Sequence, residues 1–210
     1  MVVSLTGAMA WLLLASSLLS ARSVDVAGTA QVPADTVRAV AAVPLGTPML
    51  RLDIQAIQRR VAALPTVASV QVRCQLNGTV RIEVTERTPV AVIRGRTGTH
   101  LVDATGTDYA VVAVGPPGLP ELRVSRASPR DSTTVAALEV LTGLPQWLRG
   151  QVRSIGADSP AGVVLRLGNG REVHWGGVED TPRKAAVLAA LLTQPGKVYN
   201  VSSPTLPTVS

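Results

Sequence analysis

The chain contains no phenylalanine, and aromatic residues make up only 2% of its 210 positions. Any core must therefore be aliphatic, and a hydrophobic content of 46% supplies enough Val, Leu, Ile and Ala to build one. There is a single cysteine, Cys74, which excludes an intrachain disulfide and any site needing several thiolates. The two histidines, His100 and His174, sit in alternating runs with no second His or Cys at ligand spacing, so no metal is predicted. Asp103 follows His100 by three residues, a spacing that sends the two side chains to opposite faces of a strand. There is no G-x-S-x-G elbow, no H-E-x-x-H and no phosphate-binding loop. These absences point away from an enzyme and predict neither catalytic residues nor a cofactor. The net charge is +6, yet the arginines are scattered among acids and form no run longer than Arg59-Arg60. A nucleic-acid partner is not predicted from so dispersed a charge.

Charge is also missing from the first 21 residues; Arg22 is the first charged side chain. About 20 helical residues at 1.5 Å each cross a hydrocarbon layer of about 30 Å. A cleaved signal peptide would need a basic start and a small-x-small site, and Leu19-Ser20-Ala21 is a poor match to the latter. Residues 1–21 are therefore expected to form an uncleaved transmembrane signal anchor, with 22–210 outside the cytoplasm. The basic flank that would hold the start of such an anchor inside is missing, which suggests a natural chain beginning upstream of Met1.

Beyond the anchor, Ser23–Gly28 alternates as a short strand. Pro33 opens a helical stretch with Val37, Val40 and Ala41 on one side, ending before Pro44. Asp53 is placed to cap a second helix, in which Ile54, Ile57, Val61 and Leu64 form one apolar stripe. Two alternating strands follow, around Val70–Leu76 and Val80–Val84, with Asn77-Gly78 between them. A two-residue loop would set Val72 opposite Glu83 and mix the faces. An odd loop, Asn77-Gly78-Thr79, is expected instead. It sets Val72 against Val84 and Arg73 against Glu83, and keeps Cys74 on the core face. Glu86-Arg87, at the strand exit, reads as a solvated end with a local salt bridge.

The second half reads as β-rich with two helices. A meander is expected over Val90–Ile93, His100–Asp103 and Tyr109–Val114, then a rigid Gly/Pro loop at 115–120. A helix is expected over Thr133–Leu144 with Val135, Leu138 and Leu141 inward. Strands Gln151–Ala157, Gly162–Gly168 and Arg171–Trp175 lead to a last helix begun by Thr181-Pro182, and Lys197–Ser202 forms a final strand.

The order strand, helix, helix, strand, strand, with Leu64-Pro65 before the second strand and Ile82–Ala91 after it, resembles a POTRA domain. Glu86-Arg-Thr-Pro-Val-Ala91, Leu101-Val-Asp-Ala-Thr-Gly106 and Tyr199-Asn-Val-Ser-Ser-Pro204 in this order resemble the FtsQ/DivIB family of bacterial cell-division proteins, of the actinobacterial kind. The chain departs from the family's pattern in lacking a charged tail before the anchor and a Trp-Pro in the loop at Gln75–Gly78. The resemblance implies an α+β protein: anchor 1–21, POTRA domain 22–90, β domain 91–202 and flexible tail 203–210. It also implies a single-pass plasma-membrane scaffold at the division septum, whose partners are divisome membrane proteins of the FtsB/FtsL type. The alternative is a POTRA protein that hands polypeptides to a membrane assembly or transport system. The partner site is expected on the last strand, at Val198, Tyr199, Asn200 and Val201. That strand is expected to be an uncovered edge, because Pro204 and Pro207 beyond it cannot donate ladder hydrogen bonds, and Tyr199 is expected to be an exposed anchor.

Overall fold

Residues 20–124 and 127–210 are described in the computed structural model, and the chain divides into two units that meet in sequence between Arg87 and Thr88. Among the described residues no helix is long and apolar enough to cross a membrane. The expected anchor lies outside them except for Ser20 and Ala21. These two belong to the first unit: Ser20 bridges to Pro48, and Ala21 is fully buried in the core.

The first unit runs β1 (Ser23–Ala27), α1 (Ala34–Ala41), a 3-10 turn (Met49–Arg51), α2 (Ile54–Ala62), β2 (Val67–Cys74) and β3 (Thr79–Glu86). The sheet order is β1-β3-β2, with β1 parallel and β2 antiparallel to the central β3. Helix α1 stops when Ala42 turns into the left-handed region, two residues before Pro44. Asp53 caps α2, its Oδ1 accepting from Ala56 N at 2.8 Å. Arg60 reaches from α2 to the end of α1, its Nε 3.0 Å from Ala41 O, where a cation meets carbonyls that α1 leaves open. Val37, Ala41, Ile57, Val61, Val72, Val80, Ile82 and Val84 fill the core between the helices and the sheet.

The β2–β3 register corrects the expected one. Val72 faces Ile82, Val70 faces Val84 and Arg73 faces Arg81, so from Ser69 to Cys74 every pair is two residues away from the prediction. The loop is odd, but it is Leu76-Asn77-Gly78, closed by Gln75 N to Thr79 O and by Gly78 N to Gln75 O. Gly78 takes φ +91°, the left-handed residue that such a three-residue hairpin needs. A slip of two keeps each face intact, so matching faces selects the parity of a register and the turn selects its value. The expected Arg73–Glu83 pair is absent from this arrangement. Glu83 accepts instead from Arg81 Nε at 3.0 Å along its own strand. Cys74 pairs with Val80 in the last register position of β2 and is exposed rather than in the core.

Glu86 and Arg87 each hold main-chain partners rather than standing as a solvated strand end. The half-buried Glu86 carboxylate accepts from three successive amides: Ala30 N at 2.8 Å, Gln31 N at 3.0 Å and Val32 N at 3.0 Å. Partial burial pushes its pKa up, but these three donors outweigh that and hold it below the ordinary glutamate value. Arg87 donates to Pro65 O at 3.0 Å. The pair therefore ties two loops to the end of β3.

The second unit is one nine-stranded sheet in the order β12-β11-β10-β9-β8-β7-β4-β5-β6. Its strands are β4 (Pro89–Arg94), β5 (Thr99–Asp103), β6 (Asp108–Val112), β7 (Glu121–Arg123), β8 (Val152–Ala157), β9 (Val163–Leu167), β10 (Glu172–Gly176), β11 (Val198–Asn200) and β12 (Thr208–Val209). Among its described residues it carries three helices rather than the expected two: α3 (Ser132–Gly143), α4 (Gln146–Arg149) and α5 (Thr181–Leu191). The four-residue α4 and the three-residue β7 are too short to leave a periodic signature. Leu138, Leu141, Leu148 and Leu188 pack onto Ile155, Leu165, Val173 and Trp175 to make the core, whereas Val135, expected inward, is exposed.

Candidate functional site

Val198, Tyr199 and Asn200 form β11, and Val201 follows directly. The strand is placed by the loop after α5, in which Pro195-Gly196 turns the chain back toward β10. Parallel pairing then sets Glu172 against Val198, Val173 against Tyr199 and His174 against Asn200. Val201 N continues the ladder to His174 O at 2.9 Å.

Tyr199 is fully buried. Its hydroxyl lies 2.9 Å from Gln194 O and 3.1 Å from Gly196 O, so it fastens the loop that delivers the strand. The Arg171 guanidinium stands 5.5 Å from the Tyr199 ring centroid while its Nη1 donates to Leu192 O at 2.9 Å. Val201 is fully buried as well, and Val198 and Asn200 are half-buried. The expectation of an exposed aromatic anchor is therefore corrected: Tyr199 covers the end of α5 and belongs to the core.

Nor is β11 the edge. The stretch expected to be a flexible tail folds back and pairs with it, Tyr199 facing Val209 and Asn200 facing Thr208. Asn200 Oδ1 starts the return by accepting from Ser202 N at 3.0 Å and Ser202 Oγ at 2.7 Å. Leu206 N closes a turn onto Ser203 O at 3.1 Å. Pro204 and Pro207 fall within this return, where no ladder bond is asked of their nitrogens, so they do not bar the strand that follows. Val198 and Ser210 exchange both main-chain bonds, at 2.9 and 3.0 Å. By the alternation of an antiparallel ladder, the N–H and C=O of Val209 then point away from β11. A Cβ on Gly196 would sit 2.4 Å from Val209 Cγ1, so the absence of a side chain there lets β12 lie down.

Among the described residues, then, the sheet ends on one side in the outer main chain of β12. On the other it ends in β6, a five-residue strand with Val111 exposed. On a face near the β12 end, Glu172 accepts from Arg166 at 3.1 Å and lies 3.1 Å from His174 Nε2. His100 pairs across the strands with Asp108 at 2.7 Å, not with Asp103. Asp103 is buried, and its Oδ1 accepts from Thr105 N, Thr105 Oγ1 and Thr107 N at 2.7–3.0 Å, which makes Leu101–Gly106 a turn-forming motif. Among the described residues no group of three or more His, Cys, Asp or Glu could hold a metal ion.

Sequence reasoning missed β12 and the buried Lys184. Burial pushes the Lys184 pKa down against the opposing pull of Glu179 and Asp180, and its Nζ donates to Gly177 O at 2.9 Å. A lysine on the inner side of α5 leaves no signal beyond a charge interrupting an apolar stripe.

Two family models match the chain in succession. Residues 19–87 match the POTRA domain of FtsQ type, and residues 90–203 match the C-terminal region of the cell division protein FtsQ/DivIB. The chain is 46% identical over 192 residues to the cell division protein FtsQ of Mycobacteroides abscessus, covering 91% of this chain and 62% of that one. It is 44% identical over 202 residues to the protein of the same name from Mycolicibacterium smegmatis, covering 96% and 60%. The FtsQ of Streptomyces collinus is 36% identical over 225 residues, covering all of this chain and 85% of its own. The chain thus spans about 60% of the length of the two mycobacterial relatives.

Proposed function

We propose a function from one premise: the chain belongs to the FtsQ/DivIB family of cell division proteins. On that premise it is a non-enzymatic, single-pass scaffold of the bacterial divisome, anchored through the uncharged stretch 1–19 with both folded units outside the cytoplasm. It joins other division proteins at the septum and captures FtsB/FtsL-like membrane partners through the C-terminal end of its large sheet. We set aside the polypeptide-delivery alternative because the whole second half resembles the FtsQ/DivIB C-terminal region.

The observation that carries this reading is the β12 edge. Val198–Val201 serve it by seating β12, and Val209 turns its main-chain groups outward, so an extended partner segment adds as a tenth strand. The test is a photo-crosslinking side chain placed in the full chain at Thr208, or at Val111 on the other edge, in cells making an FtsB-like partner. We expect adducts from position 208 and none from 111, and filamentous or branched cells on depletion of the protein. Adducts only from 111 would move the site to β6, and normal septation on depletion would remove the division role.

A further inference from the structure

Three large hydrophobic side chains of the first unit are strongly exposed among its described residues: Leu45 at 59%, Leu50 at 73% and Leu76 at 88%. Single exposed leucines are ordinary, but these three converge on one end of the unit. Leu45 precedes Gly46, whose N–H donates to Ala21 O at 2.7 Å. Leu50 lies two residues after Pro48, the bridge partner of Ser20, and Thr47 O accepts from Ala21 N at 3.0 Å. Leu76 lies two residues before Gly78, whose carbonyl accepts from Arg22 N at 2.7 Å. Both loops are thus hydrogen-bonded to residues 20–22, where the uncharged stretch 1–19 gives way to the folded unit. Arg22, Arg51 and Arg73 are exposed around them, while the nearby Asp53 is engaged in capping α2.

We propose that this end of the first unit rests on the bilayer, with Leu45, Leu50 and Leu76 entering the lipid interface and the arginines meeting the phosphates of anionic lipids. The inference builds on the reading of residues 1–19 as a membrane anchor. An anchor delivers the loops to the interface, where apolar side chains ringed by basic ones are favoured on both counts. The far end of β3, about 23 Å away for seven residue steps, carries the Glu86 carboxylate and the polar loop it holds.

The experiment uses the full chain with Cys74→Ser and one new cysteine, L50C, L76C or Q31C, labelled with an environment-sensitive fluorophore. It is reconstituted into vesicles of phosphatidylethanolamine and phosphatidylglycerol. Gln31 is the control because its amide is bound to Glu86 at the opposite end. We expect blue-shifted emission at 50 and 76, quenched by nitroxide-bearing lipids, and water-like emission at 31. Flotation of the protein with the vesicles is scored separately. Protein that floats but reports water at 50 and 76, or shielding that lipid nitroxides do not quench, overturns the docking and leaves the anchor standing; shielding of that second kind would assign the leucines to contact with a second copy of this chain. Protein that does not float overturns both.

Discussion

A carboxylate that accepts three amide hydrogens links the stability of the first unit to pH. Glu86 titrates below its ordinary value of 4.5 in the folded chain because Ala30, Gln31 and Val32 donate to the ionised form. A depressed acid contributes stability that is complete above the unfolded-state pKa and is lost as pH falls through the folded one. Glu86→Gln should therefore cost about 1–2 kcal/mol at neutral pH and flatten the acid limb below pH 4.5, as read by urea melts at several pH values. Tyr199 invites a paired test. Tyr199→Phe removes only the hydroxyl bonded to Gln194 O and Gly196 O and should cost about 1 kcal/mol. Tyr199→Ala empties a core site and should cost about 3–5 kcal/mol, so loss of partner capture in that variant would report unfolding, to be checked by circular dichroism. Neither role was legible beforehand. Glu86 finds its donors more than fifty residues away in sequence, and a tyrosine in a terminal strand looks the same whether a later strand covers it or not.

Elements were legible where periodicity ran long enough to show. Helices α1 and α2, the Asp53 cap and strands β1 to β3 all follow from spacing. The β2–β3 register did not, because alternation distinguishes odd from even shifts and nothing more. What decided it was Gly78, held in the left-handed region against Ser20 and Arg22. Gly78→Ala pays twice: backbone strain at φ +91° and a Cβ 3.1 Å from Ser20 O. We expect a loss of about 1–2 kcal/mol, measured by thermal unfolding, and a register shift visible in cross-strand amide contacts. At the other end of the chain, β12 was hidden because two prolines precede only two ladder residues, a pattern indistinguishable from a loose tail.

Each unit has its own main core, one of POTRA type and one built on the nine-stranded sheet, which also carries a small cluster of Val92, Leu101 and Tyr109. Strand-helix-helix-strand-strand order was enough to recognise the first, and the ordered motifs at 86–91, 101–106 and 199–204 were enough to suggest the second. The site was less legible than the fold, since an edge is a property of what does not pair and cannot be read from the strand itself. Separate cores predict separable stabilities. Val61→Ala and Leu141→Ala should cost about 1–3 and 2–5 kcal/mol, each lowering a different transition in calorimetry of the same chain. A single transition shifted equally by both would show that the units unfold together.

The parallel pairing of β1 with β3 has a mechanical consequence. The chain enters the first unit at the start of β1 and leaves it at the end of β3, and the two strands run side by side from Ser23–Thr79 to Ala27–Glu83. Tension applied between residues 20 and 87 slides these strands past each other and loads their evenly spaced hydrogen bonds together. Pulled instead from Val67 and Glu86, at the open end of the β2–β3 hairpin, the ladder would peel one bond at a time. The unit is therefore stiff along the line that its own termini define, and it can pass a force between them at loads that would unzip the same sheet from another direction.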